Sequence, residues 1–156
     1  MKQTTAAPAK TAIIFGSVTR TGNTFVAADK ILKLLGDADL YHADDIDDPG
    51  VLSAYKLFVF LTPTAGNEEL AEPFERLFDR EDLNFSHSEY AVCELGNYYG
   101  YDLYEYGAAK TLRRLIEGRG GRQFHPMLSL DTLPLTDWEL FDGWAESLRL
   151  RIAKHD

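Results

Sequence analysis

Cysteine is almost missing: Cys93 stands alone among 156 residues. That excludes an internal disulfide, a Cys-x-x-Cys redox pair and any four-cysteine metal or iron-sulfur site, so redox chemistry would have to reside in a bound cofactor. Long hydrophobic runs are missing too. The longest uninterrupted one, Leu57-Phe58-Val59-Phe60-Leu61, is far short of the roughly 20 residues that a membrane-spanning helix needs. The first ten residues, MKQTTAAPAK, lack the apolar core of a secretory signal. They read as a flexible tail on a soluble, cytoplasmic protein. Positive charge is scarce: 16 Lys and Arg face 25 Asp and Glu, a net charge of -9, which repels nucleic-acid phosphates and suits a basic protein partner. His42, His87, His125 and His155 show no metal-ligand spacing and are expected on the surface; no metal site is expected.

What remains is ample for one domain, here residues 11–156, because a chain that is 45% hydrophobic can bury a substantial core. Residues 11 to 16 read as a buried strand. Phe25, Val26, Ala28, Ile31, Leu32 and Leu35 then recur at helical spacing up to Gly36. Leu40-Tyr41-His42 is a weak second strand, followed by a solvated acidic stretch, with six Asp between 37 and 48. Residues 56 to 62 form the clearest strand, apolar throughout as a strand covered on both faces should be. A helix is expected from about 68 to 80, a strand over 89 to 95, a helix ending at Gly118, and an edge strand from 123 to 130 interrupted by Pro126. The last helix opens with Thr136 and Glu139 as a capping box. Its Trp138 and Trp144 are expected in the core.

Five strands alternating with four helices predict an α/β fold, a doubly wound five-stranded parallel sheet with helices on both faces. Ligands of such sheets sit beyond the carboxyl ends of the strands, where the strand order reverses. Three loops lie there. The first, Thr19-Arg20-Thr21-Gly22-Asn23-Thr24, leads from strand to helix, so its backbone N–H groups stand at the positive end of a helix dipole and its hydroxyls add donors without bulk. It is built for an anion such as a phosphate, though hydroxyl-rich turns also serve as plain helix caps. It lacks the G-K-[ST] of a Walker A loop and the pattern GxGxxG, as well as the carboxylate cluster that a response regulator would need. The second loop runs from Thr62 to Leu70. The third, Glu94 to Gly107, places five tyrosines in nine residues among glycines, a flat aromatic surface for a planar ligand or a patch for a partner.

Across roughly residues 11 to 153 the chain resembles a flavodoxin of the short-chain type, with sheet order 2-1-3-4-5. Residues 19–24 match the family's phosphate motif T/S-x-T-G-x-T, set two residues further than usual from Gly16. Pro63-Thr64-Ala65-Gly66-Asn67-Glu68-Glu69-Leu70 matches the second flavin loop, and Gly96-Asn97-Tyr98-Tyr99-Gly100-Tyr101 the third, whose last tyrosine stacks on the flavin. The resemblance implies bound FMN. It implies contacts from Ser17, Thr19, Arg20, Thr21, Gly22, Asn23 and Thr24 in the first loop, and from Pro63, Thr64, Ala65, Gly66 and Asn67 in the second. Leu95, Gly96, Asn97, Tyr98, Tyr99, Tyr101 and Tyr104 are the counterparts in the third. Two departures stand out: Ala65 replaces the customary tryptophan and Asn97 the customary acid.

The resemblance further implies a low-potential one-electron carrier, a monomer and not an enzyme, passing electrons from a reductase to a redox enzyme. Glu68, Glu69 and Glu72 would form an acidic rim for basic partners, or serve only as a favourably charged helix start. Arg20 is the one cation near the phosphate loop, and Gly66-Asn67 could turn its shared peptide toward the flavin N5. The alternatives are a dedicated activating flavoprotein of the ribonucleotide-reductase type, an FMN-dependent quinone reductase, and a flavodoxin-like fold that has lost its flavin and acts as an interaction module.

Overall fold

The computed structural model describes residues 9–64, 69–96, 107–132 and 135–155. Strands β1 (Thr11–Phe15), β2 (Ala38–His42), β3 (Leu57–Thr64) and β4 (Glu89–Gly96) lie parallel in the order β2-β1-β3-β4. Successive residues of a strand point to opposite faces, so each strand feeds two cores. Ile14, Phe58, Phe60 and Val92 pack with Phe74, Leu77, Leu112 and Ile116 on one face. Ile13, Phe15, Val59 and Leu61 pack with Ala28, Ile31, Phe141 and Leu148 on the other. Helices α2 (Glu72–Phe78) and α3 (Ala108–Glu117) thereby cover the first face, and α1 (Asn23–Leu35) and α4 (Trp138–Ala153) the second. This is the doubly wound sheet expected from the alternation of elements. Its order reverses between β1 and β3, which opens a crevice at their carboxyl ends.

Several local expectations are corrected. The edge strand is split: β5 (Arg122–Gln123) pairs with Glu89 and Tyr90, and β6 (Leu128–Asp131) pairs with β4 again from Cys93 to Gly96. Pro126 has no N–H to offer the ladder, and its carbonyl instead accepts the Trp144 indole N–H at 2.8 Å. Helix α2 starts at Glu72 rather than 68. An earlier start would drive the ring of Pro73 into the preceding turn, whereas at the second helical position its missing N–H is not needed. Helix α4 is capped one residue later than the Thr136 box predicts: Asp137 Oδ1 accepts from Leu140 N at 3.1 Å, and a carboxylate there also complements the helix dipole.

The buried stripe of α4 is Phe141, Ala145, Leu148 and Ile152. Trp138 and Trp144 flank it half-buried rather than anchoring the core, as suits side chains whose N–H needs a partner. Two histidines expected outside are inside, His42 at 1% and His125 at 3% exposure. His125 Nδ1 accepts from Arg151 Nε at 3.0 Å. Asp39, assigned to the solvated acidic stretch, lies buried in β2, where it accepts the Tyr55 hydroxyl at 2.5 Å and the Ala9 N–H at 3.2 Å. Lys10 Nζ is bonded to the carbonyls of Ile152 and His155.

Candidate functional site

The crevice begins where the chain leaves β1. Gly16 N donates to Leu61 O at 3.1 Å, which ties the start of the first loop to β3. Residues 18 to 22 are then exposed until α1 opens at Asn23. Gly22 is the N-cap, with φ 94° and ψ -169°, a region open essentially to glycine alone. Gly22 has no side chain to cap this 13-residue helix, and among the described residues no other side chain does so. Its first-turn N–H groups therefore face the loop mouth, where the helix dipole is positive.

The loop's hydroxyls divide in two. Ser17 Oγ donates to Thr19 O at 2.6 Å and Thr19 Oγ1 to Thr21 O at 2.8 Å, so these two shape the turn. Thr21 stays exposed at the mouth, beside exposed Asn23, and Thr24 is buried in the first helical turn. Arg20, the nearby cation, is drawn aside: its Nη1 lies 2.6 Å from Asp45 Oδ2.

Sequence reasoning missed the residue beneath this loop. His42 ends β2 opposite Phe15 in the ladder, and its ring packs edge-on against Phe15 at 4.9 Å. His42 Nε2 lies 2.6 Å from Ser17 O, while Nδ1 accepts from Asp44 N at 3.1 Å. A carbonyl only accepts and an amide N–H only donates, so His42 is the neutral tautomer with its proton on Nε2. Asp44 is gripped in turn by Arg76 through two bonds of 2.9 and 2.8 Å. That guanidinium holds the Asp44 carboxyl below its ordinary pKa. The one readable hint was a histidine at the carboxyl end of a strand adjacent to β1.

Of the second and third loops, the structure places the strand ends. Pro63 and Thr64 are half-buried, and Thr64 Oγ1 accepts from Ala108 N at 3.1 Å. Leu95 is buried, and Gly96 lies opposite Thr64, so close that a Cβ would stand 2.0 Å from the Thr64 carbonyl oxygen. A cleft of about 380 Å³ lined by Val18, Pro63, Thr64, Glu69, Glu72 and Glu75 runs beside the first loop. Ala65, Gly66, Asn67, Glu68, Asn97, Tyr98, Tyr99, Tyr101 and Tyr104 lie outside the described residues.

An uncapped helix start, a glycine that keeps the backbone open, and neutral hydroxyls form a donor set that fits a phosphate ester. Fold and site thus define a doubly wound protein with an anion-suited crevice at its switch point, where sheets of this class take their ligands. The flavodoxin family model matches residues 13–144. "Probable flavodoxin 2" of Bacillus subtilis (strain 168) is 33% identical over 129 residues, covering 78% of this chain and 83% of that protein. The Streptococcus pneumonia TIGR4 flavodoxin matches with a TM-score of 0.74 at 25% identity, over 92% of this chain and 97% of that one. The Fusobacterium nucleatum flavodoxin, solved bound to flavin mononucleotide, shares the fold with a TM-score of 0.71 at 16% identity, over 92% and 96% of the two chains. The chain belongs to the flavodoxin family, the electron carriers whose cofactor is FMN. These matches favour neither the ribonucleotide-reductase activator nor the quinone reductase.

Proposed function

We propose that this flavodoxin passes single electrons at low potential from a reductase to a redox enzyme, with the FMN phosphate at the N-terminus of α1. The observation that carries this reading is the uncapped start of α1 behind Gly22. FMN, when bound, supplies the redox centre. The first-turn N–H groups of α1, with Thr21, Asn23 and Thr24, hold the phosphate oxygens. Ser17 and Thr19 hold the loop in shape, and His42 turns the Ser17 carbonyl, which would repel an anion, into the protein.

Arg20 is spent on Asp45, and acidic side chains line the adjoining cleft, so the phosphate charge is incompletely neutralised. Added negative charge on the ring is correspondingly disfavoured, which lowers the potential of the second electron. Gly66 and Asn67, types that accept positive φ, give their shared peptide the freedom to offer its carbonyl at the flavin N5. Tyr101 would stack on the ring, with Tyr98 and Tyr99 as neighbours that would replace the cover absent at Ala65.

Glu68, Glu69 and Glu72 serve a monomeric, cytoplasmic carrier as the docking rim for basic partners. Exposed carboxylates steer association strongly at low salt, so electron transfer to a basic partner should slow steeply as ionic strength rises. A redox titration of the FMN-loaded protein tests the reading. Two separated one-electron steps are expected. A single two-electron step with NAD(P)H-driven quinone turnover would replace the carrier with an enzyme.

A further inference from the structure

We infer that Glu94 is a positioning residue for the flavin, one that fixes where the chain leaves β4 and where it enters α3, on either side of residues 97–106. The inference rests on the proposed role of this loop in covering FMN. Glu94 is a fully buried carboxylate in an otherwise apolar stretch of β4. Burying a charge there is expensive unless donors surround it, and they do. Oε1 accepts from Gly107 N at 3.0 Å and Ala109 N at 2.9 Å, while Oε2 accepts from Gly107 N at 3.2 Å and from Ser129 Oγ at 2.7 Å.

These partners lie beyond the far end of residues 97–106. The chain leaves β4 at Gly96, two residues beyond Glu94, and returns at Gly107, the N-cap of α3. Gly107 has no side chain with which to cap that helix, and none of its neighbours does so from within α3. Glu94 supplies the cap from the strand, assisted by Thr64 at Ala108 N. A carboxylate in this place also meets the positive end of the helix dipole. Ser129, opposite Glu94 in the β4–β6 ladder, completes the clamp on the other side. One carboxylate thus joins β4, β6 and α3 around both ends of the tyrosine-dense segment. Packing alone would be served by another apolar residue, since Leu95 beside it and Cys93 before it are also buried. The carboxylate is explained by what it holds.

The test uses the full chain stripped of FMN and reloaded. In Glu94→Gln, the side-chain amide keeps one acceptor and turns its NH2 toward donors. FMN binding should weaken, its Kd rising on the order of tenfold, the scale of one charge-assisted hydrogen bond. Fluorescence of the bound flavin should rise as stacking loosens, and hydrogen exchange at the Gly107 and Ala109 amides should quicken in the apoprotein. Ser129→Ala, which leaves the backbone donors and the carboxylate in place, should shift the same three readouts in the same direction by a smaller factor, about threefold in affinity. It also serves if Glu94→Gln does not fold. If the wild type binds no FMN, the cofactor reading ends and this inference with it. If the wild type binds FMN and the variants match it in affinity and flavin fluorescence, the inference alone is overturned, even where thermal stability has fallen.

Discussion

Helices α1 and α4 cover the same face of the sheet and begin in opposite ways. Helix α4 carries its own cap, Asp137, whose carboxylate takes the Leu140 N–H. Helix α1 starts behind Gly22 with no side-chain cap among the described residues, at the end of an exposed hydroxyl-bearing loop. A helix start satisfied from within is architecture. One left open at the switch point of a doubly wound sheet suits an anion. The difference also separates two kinds of support: Asp137 acts on its own helix, whereas the open loop is braced from β2 by His42.

The contrast breaks most visibly if the open end is filled with charge. Thr21→Asp puts a carboxylate where we propose the phosphate sits; repulsion of about 3 kcal/mol should weaken FMN binding roughly 100-fold while leaving the thermal midpoint intact. Flavin fluorescence titration and calorimetry check the two halves. Removing the brace is the next largest change. In His42→Leu the Ser17 carbonyl loses its donor and is free to turn toward the phosphate, which should weaken FMN binding about tenfold, against a much smaller change for riboflavin.

Asp137→Ala is the reciprocal experiment. Loss of a cap typically costs about 1 kcal/mol, a fall of roughly 2–5 °C in the unfolding midpoint of a chain this size, with FMN affinity unchanged. The smallest effect belongs to His125, which packs against Trp144 of α4. Burial, and then the charge of Arg151, push its pKa below the ordinary 6.5. Below about pH 6.5 the unfolded chain takes up a proton that the folded one refuses, so stability should fall as pH drops through that range. Urea midpoints measured against pH should show this decline, and His125→Gln should flatten it.

The parts legible in the sequence are those governed by local pattern. The apolar run of β3, the glycines that end α1 and α3, and the hydroxyl loop before α1 each follow from spacing along the chain, and the alternation of elements implies the sheet. What was not legible depends on partners far away in sequence. His42 acquires its role only when β2 lies beside β1 and brings it to Ser17. Asp39 is buried because Tyr55 donates to it, and Glu94 because α3 delivers Gly107 and Ala109. The misplaced cap of α4 is a local error of one residue, with Thr136 and Asp137 both chemically suited to the position. Pro126 marked an interruption correctly, but nothing local showed that the strand would resume along β4.

The most direct test of the central claim compares two ligands that differ by one phosphate. Apoprotein titrated with FMN and with riboflavin, followed by quenching of flavin fluorescence, should bind FMN at least 100-fold more tightly, with inorganic phosphate weakening FMN and leaving riboflavin unaffected. Equal affinity for the two flavins would contradict the assignment of the phosphate to the open start of α1.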